Sequence, residues 1–116
     1  MSFSEICIYQ VKPDKVEEFE AIMKEATEFM KQLTGVLTLR FIKRTHDIRD
    51  FAQIKEGLPP YKLQKIINSV KFMLYWEFDT DENYGKAQKS LYDSYWKSIE
   101  NCLLVPHDKY LGVNLV

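Results

Sequence analysis

The stretch that most limits what this chain can fold into is Val70 to Phe78, VKFMLYWEF. Its branched and aromatic residues favour a strand, and Asp79-Thr80-Asp81 supplies the turn that ends it. Alternation places Val70, Phe72, Leu74, Trp76 and Phe78 on one side and Lys71, Met73, Tyr75 and Glu77 on the other. The first side is a core face. The second is mixed, with Tyr75 and Glu77 bracketed by apolar neighbours, and reads as a semi-enclosed surface. A strand of this kind belongs in the middle of a sheet.

The rest of the chain supplies its neighbours. Phe3 to Val11 reads as a first strand, with Ile6 and Ile8 on one side and Glu5, Cys7 and Tyr9 on the other. Pro13-Asp14 ends it, with Asp14 placed to cap a helix. From Lys15 to Leu33 the apolar residues Val16, Phe19, Met23, Ala26, Met30 and Leu33 step by three and four, a helical stripe that Thr34-Gly35 closes. Val36 to Arg44 is a second strand, with Leu37, Leu39 and Phe41 expected toward the helices and Thr38, Arg40 and Ile42 away from them. Thr45 to Ser69 is irregular: Gly57-Leu58-Pro59-Pro60 forces a turn, Tyr61 to Asn68 is expected as a short helix, and the whole is expected as a lid or interface arm. A second helix runs from about Glu82 to Cys102, capped by Asp79 or Asp81 and stopped by Pro106. Lys109 to Val116 reads as a last strand, with Leu111, Val113 and Leu115 on one face and Tyr110, Gly112 and Asn114 on the other.

The order β-α-β-β-α-β predicts an α+β, ferredoxin-like single domain over residues 1–116. Two helices cover one side of a four-stranded antiparallel sheet, and residues 45–69 form an insertion. The opposite side is left bare, and the expected residues on it include Glu5, Cys7, Tyr9, Thr38, Arg40, Ile42, Met73, Tyr75, Glu77 and Asn114. A mixed surface of that size calls for cover, most economically by a second copy of the chain.

Composition narrows the function classes. Sixteen basic and seventeen acidic residues leave a net charge of −1, so no basic excess draws the chain to nucleic acid. The RNA-recognition pattern, which shares the strand order, needs glycine and basic residues that VKFMLYWEF lacks. No segment reads as a membrane span or leader, so the expected location is the cytoplasm, with no membrane partner. The two cysteines, Cys7 and Cys102, show no CxxC spacing and read as reduced and buried. His46 in a polar loop and His107 after Pro106 read as surface residues, and no metal is expected.

Glu77 and Arg40 fall on the same face of adjacent expected strands. They read either as a cross-strand or dimer-interface ion pair or as a catalytic pair. In the catalytic reading Glu77 is a general base toward an acidic C–H or a phenol, and Arg40 steadies the anion that results. Tyr9, Tyr75, Thr38 and Asn114 are the candidate substrate-binding residues, since phenol, hydroxyl and amide groups can orient a phenolic or carbonyl compound. Trp76 and Trp96 read as core.

The stretches IYQVKPDKVEEFEAIMKE, TGVLTLRFIKR and FMLYWEFDTDENYGKAQKS resemble the dimeric α/β-barrel superfamily, and most closely its antibiotic-biosynthesis-monooxygenase-like branch. The resemblance implies a homodimer whose sheets face one another, with a cavity between sheet and helices or between the sheets. It also implies a small oxygenase or isomerase-like enzyme that acts on an aromatic or apolar organic molecule without a cofactor. Haem-degrading relatives carry an Asn on the first strand and a His on the second helix. Here the first strand has no Asn and residues 83–102 have no His, which disfavours haem degradation. A non-catalytic small-molecule-binding or interaction module is the competing class.

Overall fold

The computed structural model describes residues 1–48, 51–64 and 68–116. The elements are β1 (Phe3–Val11), α1 (Val16–Lys31), β2 (Val36–Lys43), β3 (His46–Asp47), α2 (Phe51–Lys55), β4 (Tyr61–Lys62), β5 (Val70–Phe78), α3 (Asp81–Glu100) and β6 (Asp108–Val113). Four of the strands form one antiparallel sheet in the order β2-β5-β1-β6. β5 therefore lies inside the sheet, as its apolar run requires, and β1 pairs with it from Phe3↔Phe78 to Val11↔Val70. This is the ferredoxin-like arrangement, with α1 and α3 on one side.

The core sits between those helices and the sheet. From α1 come Phe19, Met23, Ala26 and Met30, and from α3 Tyr84, Ala87, Leu91 and Ile99. They close over Val70, Phe72, Leu74, Trp76 and Phe78, all buried. The aromatic rings pack face and edge: Phe41 stacks on Phe72 at 5.4 Å, and Phe19 meets Phe72 at 4.9 Å. Burying one such side chain contributes about 1.5–3 kcal/mol, so this layer dominates stability.

The ends of the elements differ from expectation in instructive ways. Pro13–Lys15 forms a 3-10 turn before α1, and the helix starts with no side-chain cap, so Asp14 does not play that part. At α3 the cap is Thr80, whose Oγ1 accepts from the Asn83 amide at 3.1 Å, and not Asp79 or Asp81. Asp79 instead accepts from the Asn83 side chain at 2.9 Å. Leu37 does not reach the helix side. The pairing of β2 with β5 slips between Val36 and Thr38, which makes Leu37 the extra residue of a bulge, 56% exposed. Beyond the bulge, Leu39 is buried and Phe41 packs against the core.

The face assignment of β1 is reversed. Glu5, Cys7, Tyr9 and Val11 are buried toward the helices, while Ile6, Ile8 and Gln10 lie on the open side, with Ile6 half exposed. Pairing enforces this: Glu5 sits opposite Trp76 and Tyr9 opposite Phe72, both core residues, so a shift of one would bury Ile6 and Ile8 instead.

The insertion forms an arm. β3 pairs with β4 through His46↔Lys62 and Asp47↔Tyr61, and the short helix α2 lies between them. The helix expected over 61–68 is not formed at Tyr61–Lys62, which is strand, and residues 65–67 lie outside the described residues. The root of the arm is tied to the sheet by Arg44 N–H donating to Lys71 O at 2.9 Å, and its two sides are tied by Leu63 N–H donating to Thr45 O at 2.9 Å.

Candidate functional site

Two polar groups of side chains lie back to back on the sheet. The first is on the open face. Asn114 Nδ2 donates to the Tyr75 hydroxyl at 2.8 Å, and that hydroxyl donates to Glu77 Oε1 at 3.1 Å. The Ser4 hydroxyl donates to Asn114 Oδ1 and lies 3.2 Å from the Tyr75 oxygen. Strand pairing assembles this group, because Glu77 lies opposite Ser4 on one neighbour and Thr38 on the other. Tyr75, Glu77, Asn114 and Thr38 are thus brought together, as the sequence pattern predicts.

Arg40 shares that face but is paired with Tyr75 in register, not with Glu77. It is exposed, and its Nη1 donates to the Leu39 carbonyl at 3.4 Å. Among the described residues no ion pair joins it to Glu77. Tyr9 lies on the other side of the sheet, buried among Phe19 and His107 at 5.4 and 6.2 Å. Loss of solvent around it pushes its hydroxyl pKa up, so it stays a neutral phenol. His107 is half-buried, against the edge of Trp96 at 4.5 Å, and not a surface residue. Burial lowers its pKa, with the Lys109 charge acting in the same direction.

The second polar group lies between sheet and helices. Glu5 is fully buried there. The Tyr84 hydroxyl donates to its Oε1, as do Gln88 Nε2 at 3.1 Å and Lys109 Nζ at 3.2 Å, and Lys109 also donates to Gln88 Oε1 at 2.8 Å. One oxygen is therefore saturated. Among the described residues the other, Glu5 Oε2, has no partner, and neither has the buried indole Nε1 of Trp76, the residue directly opposite on β5. A buried acceptor and a buried donor left unmet on paired strand positions are costly in a protein interior. Together they match a group that can both give and take a hydrogen bond, such as a hydroxyl.

Apolar side chains of the neighbouring strand β6 lie exposed beside this pair. Leu111, opposite Glu5 on β6, and Val113, opposite Phe3, are more than half exposed although they belong to the helix side of the sheet. α1 and α3 therefore leave the β6 edge uncovered beside Glu5. Burial pushes the Tyr84 hydroxyl pKa upward, and the adjacent Glu5 charge and hydrogen bond add to it. Tyr84 is thus a fixed donor and not a base.

Reading the sequence missed Glu5, Tyr84, Gln88 and Lys109. The usable signal was Tyr84 and Gln88 at a spacing of four, which puts a phenol and an amide on one helix face. Among the described residues no group of three or more His, Cys, Asp or Glu side chains is placed to hold a metal ion. No described helix is long and apolar enough to cross a membrane.

No family model matches the sequence, and no curated protein sequence matches it. Solved structures do. A candidate antibiotic biosynthesis monooxygenase from Nitrosomonas europaea is 16% identical, with a TM-score of 0.72 over 98% of this chain and 90% of that one. Another from Caulobacter crescentus is 9% identical, with a TM-score of 0.70 over 99% and 91%. SnoaB, a cofactor-independent oxygenase from Streptomyces nogalater solved as a point mutant, is 8% identical, with a TM-score of 0.66 over 99% and 94%. At these identities the likeness establishes the fold. The chain has the α+β, ferredoxin-like fold of the antibiotic-biosynthesis-monooxygenase-like proteins, as its strand pattern predicts.

Proposed function

We propose that the chain is a small oxygenase or isomerase-like enzyme that takes an aromatic hydroxy compound between sheet and helices. The observation that carries this reading is the unpartnered pair of Glu5 Oε2 and Trp76 Nε1, both buried. A phenolic hydroxyl would donate to Glu5 and accept from the indole. Glu5 would then take the phenolic proton as general base, leaving a phenolate held by Trp76 N–H, with Tyr84, Gln88 and Lys109 fixing the carboxylate. An electron-rich phenolate is the form from which oxygenation or proton migration can proceed without a cofactor. The apolar Leu111 and Val113 would meet the ring.

A second reading places the chemistry on the open face, within a homodimer whose sheets face one another. It is favoured by Tyr75, whose hydroxyl donates to Glu77 and accepts from Asn114. There Glu77 would be the base, Arg40 would steady the anion, and Thr38, Tyr75 and Asn114 would orient the substrate. Tyr9 would serve only the first reading, because the sheet separates it from Glu77. The half-exposed Ile6, Ile42 and Tyr110 are the apolar part of the proposed dimer surface.

Native mass spectrometry tests the dimer: a species at twice 13.8 kDa that Ile42→Glu converts to monomer is expected. The two sites are separated by binding of a phenol such as 1-naphthol, followed by fluorescence of Trp76 and Trp96. Glu5→Gln should weaken binding of the neutral phenol, whose hydroxyl donates to the carboxylate, about tenfold, and Glu77→Gln should leave it unchanged. The opposite pattern would move the site to the open face. Absence of binding in wild type would leave the non-catalytic interaction module as the better reading.

A further inference from the structure

The root of the arm and the adjoining end of the sheet enclose a cavity of about 1070 Å3. It is separate from Glu5: Gln10, which lines it, stands five residues along β1, about 17 Å at the rise of a strand. The cavity is about as large as the upper range of small-molecule pockets. Its lining is strongly one-signed. Lys43, Arg44, Lys62 and Lys71 all face it, and among the described residues Asp47 is its one carboxylate.

Two of the four cations are already paired. Lys43 Nζ lies 2.7 Å from Glu20, on α1, and Arg44 lies 3.9 Å from Asp47. Among the described residues Lys62 and Lys71 have no carboxylate within ion-pair distance. They come from opposite walls. Lys62 is on β4, opposite His46, and Lys71 is the second residue of β5, opposite Gln10. Amides of Gln10, Gln64 and Asn68 and the Ser69 hydroxyl complete a lining rich in donors. Like charges gathered in a concavity repel one another, and an anion placed among them relieves that repulsion. The chain as a whole carries −1, so this concentration of positive charge is local and not a general property of the surface. A concave site between two walls fits a compact ligand better than a polymer backbone, which needs a continuous basic track.

We infer that this cavity is a binding site for a small organic anion bearing a carboxylate or phosphate group. Lys62 and Lys71 are its charge partners, and the amides and hydroxyl of the lining donate to its remaining oxygens. This site does not depend on the Glu5 reading of function.

The test uses the full chain, labelled with nitrogen-15 and titrated with glycerol 3-phosphate, inorganic phosphate or succinate at constant ionic strength, with chloride as reference. Saturable shifts of the Gln10, Lys62 and Lys71 amides are expected. Lys62→Gln or Lys71→Gln alone should weaken binding about tenfold, the effect of losing one charge-assisted hydrogen bond. Glu5→Gln should not alter it. Saturation by the phosphates alone identifies a phosphate ligand, and saturation by succinate alone a carboxylate. Shifts that never saturate, or that match those of chloride, would overturn the inference. So would saturable binding that survives the double variant, or that maps to the Glu5 side of the sheet. If Lys71→Gln disturbs the spectrum of the sheet, Lys62→Gln on the arm decides the matter by itself.

Discussion

Tyr84→Phe removes one hydroxyl and changes nothing else in the ring. In the fold that hydroxyl donates to Oε1 of Glu5, whose side chain is fully buried. A hydrogen bond to a charged group contributes about 1.5–3 kcal/mol. Two features place the expected loss within that span. Gln88 and Lys109 remain on the same oxygen at 3.1 and 3.2 Å, so the carboxylate keeps donors after the change. Against that, Oε2 has no partner to compensate, and Tyr84 is itself buried, so water does not readily replace the lost hydroxyl. A loss of about 2 kcal/mol follows, which for a chain of this length lowers Tm by about 8 °C. Urea unfolding followed by circular dichroism measures it, with an unchanged m value showing that the native surface is unaltered. Tyr92→Phe is the control, since Tyr92 is 63% exposed and should shift stability by less than about 0.5 kcal/mol. A double-mutant cycle with Glu5→Gln should show the two changes to be non-additive by at least about 1 kcal/mol. A Tyr84→Phe protein as stable as wild type, or strict additivity in the cycle, would mean that Glu5 is not held as described.

Three more outcomes can be checked on the same instruments. Gly35→Ala should cost about 2 kcal/mol in urea unfolding. Gly35 has φ +87°, and an added Cβ would run into the Asp79 and Asn83 side chains at the start of α3. Thr80→Ala should cost about 1 kcal/mol through loss of the α3 cap, and Thr80→Ser should restore most of it. Above pH 9 the protein should lose stability. Burial pushes the Cys7 thiol up to about 12 and raises the Tyr9 and Tyr84 hydroxyls as well, so the folded state holds protons that the unfolded chain releases. That stability is fully present below the unfolded thiol value of about 9 and falls as pH rises toward 12. The urea midpoint should therefore be lower at pH 10.5 than at pH 8.

The framework of the fold was legible because its strongest segments admit one arrangement. VKFMLYWEF divides cleanly into a bulky face and a mixed one, and the stripe from Val16 to Met30 has only one apolar side. Gly35 marked the only turn that α1 and β2 can share. Caps were harder to read, because Asp79, Thr80 and Asp81 are all good cap residues, and the choice among them is set by where β5 releases the chain. Leu37 was misplaced for a related reason. A bulge adds one residue to a strand without any mark in composition, and every face assignment on its near side then reverses.

The same ambiguity, on β1, concealed the inner polar cluster. In FSEICIYQV one parity holds Ile6 and Ile8 and the other holds Cys7, Tyr9 and Val11, so hydrophobicity alone is nearly balanced. Glu5 tips a binary reading toward the wrong answer, since a carboxylate is assigned to water by default. What decides the parity is the pairing with β5. Val11 must lie beside Val70 and Tyr9 beside Phe72, and this carries Glu5 inward to lie beside Trp76. Burying a carboxylate is tolerable only where donors meet it, and here they come from two other elements, α3 and β6, far away in sequence. A chain selected for stability alone could place an apolar residue at position 5 and spare the need for Tyr84, Gln88 and Lys109 as partners. Retaining a charge there, with one oxygen still unsatisfied, is the kind of local violation that functional sites display. It makes Glu5 a stronger candidate for chemistry than Glu77, which is only partly buried on the open face.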